Sequence, residues 1–218
     1  MLRRKFKIKN LFDKKSRSRI SHSIPNCELT GVREQTNVLT TWLDASHTYG
    51  STANELRNVR DGSNSPFLKQ KRNSNRRGRA LLPKCSEART DITSCEDVCE
   101  EEPTRQCFAS GEQRANEQPG LATMHTVWFR EHNRLATELE SLNPHWDGER
   151  VFQEARRILI AQWQHIIYNE WLPILLGQQY MRRFNLFPTT SEYTNNYDES
   201  IDPRINNEFS TAAFRFVF

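Results

Sequence analysis

Two apolar stripes at helical spacing, separated by one short loop, limit this chain more than any other feature of its sequence. From Pro119 to about Leu142, the residues Leu121, Met124, Trp128, Leu135, Leu139 and Leu142 fall on one broad face. Pro119 suits a first helical turn, where its missing N–H would have no partner. Asp147 is placed to cap a second helix, whose apolar set runs through Val151, Ala155, Ile158, Leu159, Trp163, Ile166 and Ile167 to Trp171-Leu172. Pro173 is expected to bend that helix and Gly177 to end it. Joined by Asn143 to Trp146, the two form a helical hairpin.

The rest of the chain adds little strand signal. Thr52 and Glu55 are spaced as a capping box for a short helix ending near Asp61-Gly62, and residues 62 to 106 read as loop. Near the C-terminus, Phe209, Ala212, Ala213, Phe216 and Val217 recur at helical spacing. The predicted fold class is therefore mainly α, with long core helices and little β.

With 218 residues, 36% of them apolar and 10% aromatic, the chain can bury a core. No apolar run is long enough to span a membrane, and the N-terminal charges are not followed by the apolar stretch of a secretory signal. The net charge of +4 belongs to the tail: Met1 to His22 carries nine Lys and Arg against one Asp, and the remainder sums to −4. We read residues 1–26 as a solvated basic tail or non-native start, and residues 27–218 as the domain. Nucleic-acid binding through the tail and the cluster KQKRNSNRRGR ranks last, since neither run supplies aromatic stacking. Cysteines 85, 95, 99 and 107 crowd into polar loop without a nearby His, a spacing that favours one or two disulfides in an oxidising compartment over zinc.

The stretch CFASGEQRANEQPGLATMHTVWFREHNRLATEL sets Arg114 and Glu117 three residues apart at the entrance to the first long helix. An Arg fixed there is a permanent cation able to stabilise a developing anion; the plain alternative is a helix-start ion pair. His125 and His132 lie seven apart and share a face, but packing and hydrogen bonding account for them better than metal ligation. His145 and His165 read as loop and helix-surface residues.

These residues, with LNPHWDGERVFQEARRI and LPILLG after them, resemble the core of the animal haem peroxidases. REQTNVLTTWLDASHTYGS and RGRALLP upstream, and IDPRINNEFSTAAFRF downstream, resemble further landmarks of that family. The resemblance covers roughly Cys27 to Phe216 and implies a partial catalytic domain, well under half of a complete one.

The resemblance implies that Arg114 is the distal arginine, which helps polarise the peroxide O–O bond, and that Glu117 forms an ester to a haem methyl group. Gln118 stands where some members carry a methionine in sulfonium linkage, so that bond is not expected, and Glu112 replaces the family's usual aspartate. Arg215 matches an arginine near a haem propionate. LTTWLDAS resembles the family's calcium loop, with Thr40, Trp42, Asp44 and Ser46 offering hydroxyl, carbonyl and carboxylate oxygens to Ca²⁺.

The implied cofactors are haem b, covalently held through Glu117, and Ca²⁺. The implied partners are hydrogen peroxide and a small electron donor, in an extracellular or secretory setting. None of the six histidines follows an Asp, as the distal base of the family does, and Val217-Phe218 stand where Gly-His would supply the axial ligand. The expected function is reduction of hydrogen peroxide coupled to oxidation of a halide, phenol or protein side chain, with little or no turnover by these residues alone. A non-catalytic truncated isoform or fragment, at most a binding module, is the alternative; it would expose large apolar faces such as Trp163 with Trp171.

Overall fold

The structure is a computed structural model that describes residues 39–72, 79–85, 107–189, 198–203, 206, 208–209 and 212. The chain divides into two units, Met1–Asp44 with Glu192–Phe218, and Ala45–Ser191.

The second unit carries the long helices. In chain order it has α1 (Ser46–Tyr49), α2 (Ala53–Val59), the strands β1 (Lys71–Arg72) and β2 (Ala80–Leu81), and a 3₁₀ helix (Gln113–Asn116). It continues with α3 (Pro119–Leu142), α4 (Gly148–His165), a π-helical segment (Ile166–Trp171) and α5 (Leu172–Arg183). β1 and β2 pair antiparallel, Lys71 opposite Leu81. The fold is mainly α, as expected.

The local signals act as their chemistry demands. Thr52 Oγ1 accepts from the Glu55 N–H at 3.2 Å while Glu55 Oε2 accepts from the Thr52 N–H at 2.9 Å, closing the capping box. Asp147 Oδ1 accepts from the Arg150 N–H at 2.8 Å and starts α4. Pro173 has no N–H to return to the carbonyl four residues back, and the helix answers by widening to a π pattern in which the Leu172 N–H reaches the Ile167 carbonyl. Gly177 ends that helical stretch, as expected: its non-helical backbone (φ 73°, ψ 159°) kinks the chain, with open space around its Cβ position, and a second stretch of helix follows to Arg183.

The buried stripe of α3 is rotated from the purely apolar one. His125, Trp128, Phe129, His132, Asn133, Leu135 and Ala136 are buried, whereas Met124 and Leu142 are exposed. Against it α4 sets Val151, Phe152, Ala155 and Leu159, and Ala45, Tyr49, Val59, Leu68 and Leu82 close the cluster. Trp163 is packed, not exposed: its ring meets Trp128 edge-on at 5.2 Å and lies 4.6 Å from His47. Trp171, by contrast, is exposed, as are Val127, Ile158 and Ile166. Val127, Trp128, Ile158, Ala161 and Ile166 line an open groove of about 910 Å³ between α3 and α4.

Polar side chains of α3 hold the preceding loops onto this core. Asn133 accepts from the Leu68 N–H at 2.8 Å and donates to the Leu68 carbonyl at 3.0 Å, replacing a strand neighbour with one amide. Arg130 Nε donates to the Ala80 carbonyl at 2.6 Å. From α2's C-cap, Arg60 lays its guanidinium 4.1 Å above the Phe152 ring and pairs with Glu149.

In the first unit, Thr40 Oγ1 donates to Asp44 Oδ1 at 3.0 Å, and the Ala212 N–H donates to the Glu208 carbonyl at 3.0 Å in an α-helical pattern. Most of the helix predicted from Phe209 lies outside the described residues. Among the described residues no helix is long and apolar enough to cross a membrane.

Candidate active site

Arg114 sits in the single turn of 3₁₀ helix that leads into α3, and that turn is fastened from several sides. The Asn116 amide accepts from the Phe108 N–H and donates to the Phe108 carbonyl, both at 2.8 Å. Ala115 is fully buried beneath the turn. Gly111 passes so close to α1 that a Cβ there would lie 2.5 Å from the Gly50 nitrogen and 2.6 Å from the Thr48 carbonyl oxygen. Cys85 and Cys107, at the edge of the same region, each take part in a disulfide, and the Cys85 N–H donates to the Cys107 carbonyl at 2.9 Å.

Within that frame Glu112 grips Arg114. Its carboxylate accepts from Arg114 Nε at 2.8 and 3.1 Å, pairs with Nη2 at 2.7 Å, and also accepts from the Arg114 backbone N–H at 3.1 Å. Glu117, at the C-cap of the 3₁₀ helix, is exposed. The turn thus offers a fixed cation and, three residues on, a carboxylate open to a ligand.

Two buried histidines back this arrangement without competing for it. Ser110 Oγ and His125 Nδ1 are 2.7 Å apart, and burial lowers the His125 pKa below its ordinary value. His132 Nε2 lies 3.1 Å from the Pro66 carbonyl, which can only accept, so Nε2 carries the proton and Nδ1 accepts from Tyr49 OH at 2.8 Å. Burial pushes His132 down to about 4 and His47 to about 3, and raises the Tyr49 hydroxyl. With both nitrogens engaged, His132 is a packing and hydrogen-bonding residue rather than a metal ligand.

These shifts fix a pH dependence. Between the ordinary value of 6.5 and the folded value of about 4, the unfolded chain binds a proton that the native His132 site refuses. Stability should therefore be full above pH about 6.5 and fall as pH drops toward about 4, with His47 and His125 adding to the slope. Melting temperatures across that range test this: a flat profile would contradict neutral burial of the three rings.

Of the predicted site residues, Arg114 and Glu117 share one turn, and Arg215 lies outside the described residues. The loop expected to bind calcium falls across the division of the chain, with Thr40, Trp42 and Asp44 in the first unit and Ser46 in the second. Among the described residues no three His, Cys, Asp or Glu side chains group to hold a metal. Sequence reasoning missed the grip of Glu112. The signal was present, an acid two residues before the arginine and one before a 3₁₀ turn, but i,i+2 pairs do not face each other in the α-helix whose spacing guided the reading.

Fold and site define a helical domain whose entrance turn presents a clamped guanidinium beside an open carboxylate. The profile of the animal haem peroxidase family matches residues 7–218, and the chain belongs to that family. It is 48% identical over 184 residues to the human protein named peroxidasin homolog, covering 84% of this chain and 12% of that one. To human myeloperoxidase it is 43% identical over 211 residues, covering 96% of this chain and 27% of that one. The solved structure of peroxidase A from Dictyostelium discoideum superposes with a TM-score of 0.64 at 34% identity, over 84% of this chain and 32% of that one. The chain thus spans between 12% and 27% of the length of these two human relatives.

Proposed function

We propose that this chain is part of a haem peroxidase that reduces hydrogen peroxide while oxidising a halide, phenol or protein side chain. The observation that carries the reading is the clamped Arg114 followed by the exposed Glu117 on one turn of a family member. The donor set fits one edge of a haem: an open carboxylate able to form an ester, and a guanidinium with donors to spare. Haem, when bound, would supply the redox centre at which the peroxide O–O bond breaks. Arg114, already oriented by Glu112, would stabilise the charge that develops on the departing oxygen.

Arg215 is proposed to face a haem propionate, and Thr40, Trp42, Asp44 and Ser46 to bind Ca²⁺, both on the family resemblance. A secretory or extracellular setting accords with the disulfide-bonded Cys85 and Cys107. Neither axial nor distal base is assigned to a histidine of these 218 residues, so we propose that they show little or no turnover by themselves.

The test is haem retention. In the complete peroxidase of which we propose this chain is part, the wild-type protein denatured after incubation with haem and peroxide should keep haem attached, and Glu117→Gln should release it. Release of all haem by the wild type would sink the ester assignment. Guaiacol oxidation by these 218 residues at rates like those of a complete family member would overturn the claim of low turnover.

A further inference from the structure

We propose that Glu112 is the positioning residue for Arg114: its carboxylate selects which edge of the guanidinium is presented to peroxide. The proposal rests on the haem peroxidase reading given above and adds a residue to it.

The geometry is a side-on grip. Glu112 occupies the Nε–H and one Nη2–H, at 2.8 and 2.7 Å, which takes two of the five N–H donors of the guanidinium. The remaining donors lie on Nη1 and the second Nη2–H, and these form the edge left for a ligand. The same carboxylate accepts from the backbone N–H of Arg114, so one group fixes both the main chain and the side chain of a single residue. An arginine without such a grip spreads over many rotamers, and each productive encounter would have to wait for the right one.

Burial makes the pair mutually dependent. The Glu112 side chain is 9% exposed and that of Arg114 is 25% exposed. A carboxylate so enclosed needs a counter-charge, and the nearby imidazole of His125 is kept from supplying one by its own burial and its bond to Ser110. Arg114 is therefore the cation that answers Glu112, and its direction is set by the demand of the buried acid. Ala115, Asn116 and Gly111 fix the turn on which the acid stands, so the grip is referenced to the core and not to a mobile loop.

Glu112→Gln isolates the charge, since the amide oxygen can still cap the turn while the ionic fork is lost. Glu112→Asp keeps the charge on a shorter stem. The first readout needs no haem: the ¹⁵Nε–H resonance of Arg114, assigned by its disappearance in Arg114→Lys. It should be protected in the wild type, exchange about tenfold or more faster in Glu112→Gln, and return toward wild type in Glu112→Asp. The second, in the complete peroxidase of which we propose this chain is part, is the rate of peroxide-dependent haem attachment at Glu117, expected to fall about tenfold in Glu112→Gln and in Arg114→Lys and to recover in Glu112→Asp.

An unchanged Arg114 resonance in folded Glu112→Gln would overturn the proposal. So would an attachment rate that holds in Glu112→Gln while falling in Arg114→Lys, because the grip would then exist without serving the chemistry. Loss of haem from the wild type would instead strike the haem reading, and the positioning role with it, while the resonance would still report the grip.

Discussion

Replacing Phe152 by alanine is expected to cost about 3–5 kcal/mol of folding stability, enough to unfold a large share of a marginal domain. Phe152 is fully buried on α4, and three partners from distant parts of the chain rest on its ring. Tyr49 meets it edge-on at 6.1 Å, His132 lies 4.8 Å away, and the Arg60 guanidinium stacks at 4.1 Å. Removal would leave a cavity against two rings that cannot collapse into it, and would strip Arg60 of the surface that shields its pair with Glu149. Urea unfolding followed by circular dichroism measures the loss. A cost under about 1 kcal/mol would mean that the site collapses freely and that the core is looser than these contacts require.

The second large effect belongs to Gly111. A methyl group there would run into the Gly50 nitrogen and the Thr48 carbonyl, both backbone atoms of a packed segment that cannot step aside as a side chain tip could. Gly111→Ala should destabilise the protein by about 3 kcal/mol and carry the Arg114 turn away from α1, so that haem retention falls together with stability. Gly120→Ala is the matched control. Its new methyl would meet only the Gln118 side chain, at 3.7 Å, within the first turn of α3, and it should be neutral or stabilising by up to about 1 kcal/mol. Equal losses from the two substitutions would show that helix-entry flexibility, rather than close approach, governs this region.

Much of the helical frame was legible because its signals are local. Pro119, Asp147 and the Thr52–Glu55 pair act through neighbours within four residues, and the starts of α3, α4 and α2 follow from them in turn. What escaped is what depends on distant partners. His125 and His132 were read as packing and hydrogen-bonding residues, and they are; what escaped is their partners and those of Asn133, each far away in sequence: Ser110, then Tyr49 with Pro66, then Leu68. Periodicity cannot anticipate that pairing, and without it burial of an imidazole looks prohibitive. Trp163 was misplaced for a related reason, since the Trp128 and His47 rings that enclose it come from two other segments. Gly177 was legible as a terminator, and its positive φ does break the helix there; what was not read is the second helical stretch that follows it to Arg183.

The site divided along the same line. Arg114 and Glu117 were found through motif resemblance, which fixes which residues matter but not how they are held. Glu112 was noted only as a substitution of one acid for another, and its fork on Arg114 became visible when the backbone turned through a 3₁₀ helix and set positions 112 and 114 side by side.

The two amide clasps, Asn116 on Phe108 and Asn133 on Leu68, make each fastening depend on a single atom pair. Each clasp works because one small group carries a donor and an acceptor side by side. Exchanging the amide for a carboxylate would keep the shape and the acceptor but delete the donor, setting a charged oxygen against the carbonyl of Phe108 or Leu68. Asn116→Asp or Asn133→Asp should therefore loosen first the turn that carries Arg114 or the loop that α3 holds, while the helical hairpin itself stays intact.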